Sequence, residues 1–89
     1  MAPLRRWPFW WTWDVELSTH VERRMSRRDF NELDLRTMME HAERVRRDHV
    51  EGRYVIETRH KRRSWAVIVE PDVERTCVLV ITAYALEVE

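Results

Sequence analysis

The sequence predicts an α+β fold: two N-terminal helices packed on one face of an antiparallel three- to four-stranded sheet. Three observations carry that reading. Apolar residues recur at helical spacing between positions 19 and 42. Three runs rich in valine, isoleucine and aromatic residues follow between positions 53 and 87. Strands of this kind need cover on one side, and the helices supply it. Eighty-nine residues make one domain. Its expected extent is 14–89, behind a Trp-rich extended arm over 1–13.

The arm carries Pro3 and Pro8, which fix the backbone and remove hydrogen-bond donors, so it is not a helix. Trp7, Trp10, Trp11 and Trp13 need cover. They either lie across the domain and enlarge a small core, or dock a partner or a second copy of the chain. In "WDVELS", Val15 and Leu17 alternate with Asp14 and Glu16, the pattern of a short strand. Thr19 with Glu22 three residues on forms a capping-box pattern that puts His20 in the first turn of a helix ending near Arg28-Asp29. Asn31 caps the second helix, with Asp34 at its third position and Leu35, Met38, Met39 and Ala42 as its buried face. "ERVRRDHVEGR", with the single glycine, reads as the helix end and a loop. The three strands are "RYVIETR", "SWAVIVE" and "TCVLVITAYALE", joined by turns at "HKRR" and "PDVER" into a meander. The last is apolar on both faces as far as Ile81, as a central covered strand would be.

Charge is balanced overall, sixteen basic against sixteen acidic side chains, but unevenly placed. Fifteen of the basic residues are arginine, a bias that a GC-rich genome alone can produce. Residues 70–89 hold one basic and five acidic side chains, so the rest of the chain is net positive and can present a local cationic surface. No apolar run approaches the ~20 residues of a membrane span. One cysteine, Cys77, cannot close an internal disulfide, and "RRWPFWWTW" is too short an apolar stretch for an export signal. The reading is a cytoplasmic protein without a membrane partner.

Two basic clusters are candidates for anion binding. On the first helix, His20, Arg24 and Arg28 form a ridge of i, i+4 and i+8 positions along the edge of the stripe made by Val21 and Met25. Guanidinium groups there can lay their stems over apolar surface and pair with carboxylates, or grip phosphate by bidentate contacts. The second cluster is "RHKRR", with Arg59, Arg62 and Arg63 at a hairpin tip. On the last strand, Thr82 and Tyr84 are placed on the face of Val78 and Val80, where that face turns polar. They can hydrogen-bond a ligand or simply mark the rim of the core. The four histidines are scattered and no C-x-x-C or H-E-x-x-H spacing occurs, so no metal or cofactor is expected.

"STHVERRM" followed by Arg28 resembles the S-x-H-x-x-x-R-M-x-x-R signature of a family of small bacterial proteins of unknown function. "GRYVIETRHKRRSWAVIVEPD" and "VLVITAYALE" resemble that family's hairpin and closing strand. The family is remotely similar to the RelE- and BrnT-type toxins, small α+β ribonucleases. The resemblance implies a metal-independent endoribonuclease acting on RNA, with His20, Arg24 and Tyr84 as catalytic candidates. Arg28, Arg59 and Thr82 would bind substrate, and an antitoxin-like protein would be the partner; independently of the resemblance, the basic turn adds Arg62 and Arg63 as phosphate contacts. Where that family often has glycine after the last arginine, this chain has Asp29, and lysines common in RelE-type sites are reduced to Lys61. Two other classes stay open: a non-catalytic module of the same fold that binds RNA or protein, and an interaction subunit or homo-oligomer joined through the tryptophan arm.

Overall fold

A computed structural model describes residues 7–27 and 30–86. The elements run β1 (Asp14–Leu17), α1 (Thr19–Ser26), α2 (Glu32–Glu40), β2 (Arg44–Arg47), β3 (Tyr54–His60), β4 (Arg63–Asp72) and β5 (Cys77–Ala85). The two helices are present, but the expected three- or four-stranded antiparallel sheet is not. The sheet has five strands in the order β1-β5-β4-β3-β2, and it is mixed, because β1 pairs parallel with β5.

Both additions have a physical reason. β1 sets Val15 opposite Val78 and Leu17 opposite Val80, so its two apolar side chains join the core. It covers the outer edge of β5 from Cys77 to Val80, and the chain crosses to the far side of the sheet through both helices. β2 comes from the stretch read as loop. "RVRR" has a single apolar residue, too little alternation to announce a strand, yet Val45 lies opposite Ile56 and joins the same core.

α1 begins one residue earlier than its capping pattern suggested. Ser18, not Thr19, is the cap: its Oγ accepts the Val21 N–H at 3.1 Å. α2 has the full capping box, Asn31 Oδ1 accepting from Asp34 N at 2.8 Å and Asp34 Oδ2 accepting from Asn31 N at 3.0 Å. Its buried residues are Leu35 and Met38, with Met39 half-buried. Buried Thr58 of β3 donates to the Met38 carbonyl at 2.6 Å, tying the last turn of α2 to the sheet.

The main core lies between helices and sheet: Val21, Phe30, Leu35 and Met38 above Ile56, Trp65, Val67, Val69, Val78, Val80 and Ala83. Residues 8–13 are held by turns, Trp11 N bonding to Pro8 O and Trp13 N to Trp10 O. Trp10, 2% exposed, enters this core against Tyr54 with ring centroids 5.1 Å apart. The segment thus carries the chain from β3 across to β1. Val55, Ala66 and Ile68 form a smaller cluster on the other face, which no helix covers among the described residues.

Candidate nucleic-acid interface

One irregularity decides where the β5 candidates point. Ile68 pairs with Thr82 but Val69 with Val80, so Ile81 is an extra residue, a β-bulge. Beyond the bulge the side-chain alternation reverses. Thr82 and Tyr84 therefore lie on the open face, opposite to Val78 and Val80, and not with them as the plain alternation required. On that face cross-strand partners line up in rows. Arg44, Glu57, Ala66 and Tyr84 form one, and Arg46, Val55, Ile68 and Thr82 the next. Arg59 follows beside Ser64, whose carbonyl accepts the Leu86 N–H at 2.8 Å. With strands about 4.8 Å apart, Tyr84 and Glu57 stand roughly 10 Å from each other across Ala66.

The open face thus gathers Arg59, Thr82 and Tyr84 and adds Arg44 and Arg46, which the sequence reading missed. Arg44 Nη2 and Arg46 Nε donate to Glu57 Oε2 at 3.1 and 2.8 Å. Those hydrogen bonds, that from Arg46 first, hold the Glu57 carboxyl below its ordinary range. The only sequence signal for the pair was the i, i+2 spacing of arginines around Val45, which is also what a polar loop offers.

Arg62 and Arg63 stand at the end of this sheet. His60 pairs with Arg63, so the β3–β4 loop is just Lys61 and Arg62. Both are in the left-handed region, φ 53° and 70°, the type I′ hairpin turn that favours Asn-Gly. Nη2 of Arg59 reaches the Arg62 carbonyl at 3.5 Å. Residues 44–63 hold eight basic and three acidic side chains, so this half of the sheet is the cationic part of a neutral chain.

The helix candidates lie elsewhere. Ser18 N donates to the Val80 carbonyl at 3.0 Å and Ser18 Oγ to that of Ile81 at 2.9 Å, pinning the start of α1 on β5. β1 stops opposite Val80, so among the described residues β5 has no strand on its outer side from Thr82 to Ala85. His20, two residues after the pin, belongs to the α1 turn at this bare edge. It is exposed, not half-covered as a ridge along the core edge would make it. Arg24 is half-buried, and Arg28 lies outside the described residues. The structure therefore separates the predicted set: His20 and Arg24 on the helix-bearing side, Arg59, Thr82 and Tyr84 on the open face.

Among the described residues no group of three or more His, Cys, Asp or Glu could hold a metal ion, and no helix is long and apolar enough to cross a membrane. A groove lies between β1 and α2, lined by Val15, Leu17, Leu35 and Met39 and rimmed by Glu32, Arg36 and Glu40. None of the predicted site residues lines it.

Fold and surface together define a small α+β domain with helices on one sheet face and, among the described residues, an opposite face that no helix covers, bearing Arg44, Arg46 and Arg59. Over residues 17–85 the chain matches the family described as "Domain of unknown function (DUF4258)", and it belongs to that family. The match begins within β1 and leaves the tryptophan segment outside. Neither the curated proteins nor the solved structures give a match.

Proposed function

We propose that this domain binds RNA over the open face of its sheet and cleaves it without a metal ion, as a toxin-like endoribonuclease. The observation that carries the reading is the convergence of Arg59, Thr82 and Tyr84 on one uncovered face, beside Arg44 and Arg46 and the cationic turn. Guanidinium groups hold phosphate oxygens, and a tyrosine ring, 39% exposed, can stack on a base. Cleavage then needs a base for the 2′-hydroxyl, cations for the charge that grows on phosphorus, and a proton for the leaving oxygen. Arg59, Arg62 and Arg63 are the cations of this reading, with Arg24 the cation on the side of His20, and Thr82 positions the ribose. Tyr84 donates the last proton, and His20 is the first candidate for base. The ribonuclease step itself rests on the resemblance to RelE- and BrnT-type toxins, which also implies an antitoxin-like partner.

A second reading, a module that binds RNA without cutting it, draws on the separation of His20 from Tyr84 by the sheet. One experiment decides between them. The purified protein is incubated with single-stranded RNA and with ribosomes in EDTA, and the products are examined for a 2′,3′-cyclic phosphate. Binding is followed against salt for wild type and for Arg62→Ala with Arg63→Ala. Each lost phosphate contact should flatten the slope of log K against log salt by roughly 0.7 for a single strand. Binding without cleavage selects the second reading, and no binding removes both.

A further inference from the structure

The histidine that the fold positions for chemistry is not His20. His49 is 91% exposed, and His41 Nδ1 is engaged by the Thr37 carbonyl at 2.9 Å. His20 is exposed, and among the described residues no hydrogen bond orients its ring. His60 differs from all three. It is the last residue of β3, its side chain is 11% exposed, and its Nε2 lies 3.2 Å from Asp34 Oδ1. Asp34 is itself fixed, because its other oxygen closes the α2 capping box. Trp65 packs edge-on against the ring at 6.3 Å, and Trp65 is held in turn by Phe30 at 5.6 Å. Trp65 Nε1 is buried and makes no hydrogen bond among the described residues, so packing alone fixes that indole.

At 3.2 Å the His60–Asp34 contact lies within ion-pair range but off the line of a good hydrogen bond. A carboxylate this near one ring nitrogen still draws the ring proton to that nitrogen. A neutral ring with its proton on Nε2 would offer the Nδ1 lone pair, the arrangement in which a carboxylate orients a histidine base. Nδ1 has no hydrogen-bond partner among the described residues. The next three residues are Lys61, Arg62 and Arg63, two of them in left-handed backbone that costs energy to hold. A positioned ring thus adjoins a cluster of exposed cations.

We infer that His60, positioned by Asp34, is the proton acceptor for a phosphodiester held at the Lys61–Arg63 turn. The inference rests on the ribonuclease reading above and moves the base from His20 to His60. In the step, His60 Nδ1 takes the proton of the 2′-hydroxyl as the O2′–P bond forms. The P–O5′ bond breaks, the leaving oxygen takes a proton from water, and the imidazolium returns its proton to solvent. His60 is the catalytic residue of this proposal and Asp34 a positioning residue.

Two measurements test it. The first needs no activity: nitrogen-15 NMR of the histidine rings should find the neutral His60 ring protonated on Nε2, and Asp34→Asn should weaken that preference. A wild-type ring protonated on Nδ1 overturns the proposal. The second is EDTA-resistant RNA cleavage by wild type, His60→Gln, His20→Ala and Asp34→Asn, each checked by its melting curve and RNA affinity. His60→Gln should lose about 10²-fold or more in rate with binding kept, and the acid limb of its pH–rate profile should vanish. Asp34→Asn should lose less and shift that limb, which a purely structural role would not do. Cleavage that survives in His60→Gln and disappears in His20→Ala overturns the inference and leaves the ribonuclease reading standing. A wild type that cuts no RNA removes both.

Discussion

The β3–β4 turn gives the sharpest test of how this surface is built. Lys61 and Arg62 have φ of 53° and 70°, and neither is glycine. For an L-residue the left-handed region costs roughly 1–2 kcal/mol, because Cβ crowds the following carbonyl oxygen. Asn-Gly is the preferred pair for a type I′ turn, asparagine tolerating that region and glycine having no Cβ. Replacing Lys61→Asn together with Arg62→Gly should relieve roughly 2 kcal/mol of native strain. Glycine's extra freedom in the unfolded chain returns roughly 0.5–1 kcal/mol of that. The net expectation is a gain of about 1 kcal/mol, or about 4–8 °C in Tm for a domain of this size. The same variant removes two cations from the end of the sheet. Polyanion binding should weaken, and its salt slope should flatten by roughly 1.4 if both contact phosphate. The assay pairs thermal unfolding by circular dichroism with an RNA-binding titration at several salt concentrations. An unchanged or lower Tm refutes the strain argument, and a stabilised variant with unaltered binding refutes the assignment of the turn to phosphate.

Two further expectations concern the rest of the molecule. Trp10→Ala empties a buried aromatic site against Tyr54 and should cost about 3–5 kcal/mol, a large share of the ~5–15 kcal/mol that holds a domain together. Urea unfolding that gives a loss below about 1 kcal/mol would show that residues 7–13 do not belong to the core. Glu57 has a native pKa below its ordinary value of 4.5, so its two arginine contacts contribute stability above that value and lose it as pH falls through the native one. Tm measured from about pH 6 down to pH 2 should therefore fall less steeply in Glu57→Gln than in wild type, and equal slopes would count against the clamp.

Local physics made part of this protein legible. Helical periodicity identified α1 and α2, and the Asn31–Asp34 cap was readable because both partners sit within one turn of the same helix. The β3–β4–β5 meander followed from three β-rich runs joined by short turns, and the cationic character of residues 59–63 is a matter of composition. What the sequence could not supply were relations between distant residues. β1 becomes a parallel edge strand because Val15 and Leu17 find Val78 and Val80 some sixty positions on. β2 is a strand because β3 offers it an edge, although "RVRR" alone has hardly any alternation.

The bulge at Ile81 matters most for the site. No local rule marks it, yet it reverses the facing of Thr82 and Tyr84 and brings them to the side of Arg59. Tertiary structure alone also set His60 against Asp34, twenty-six positions away, and left His20 exposed at the helix start. The sequence by itself determined which chemical groups are available and which segments can be helix or strand, since those depend on near neighbours. Which groups meet was decided only when strand register and packing fixed side chains far apart in the chain on one face or the other.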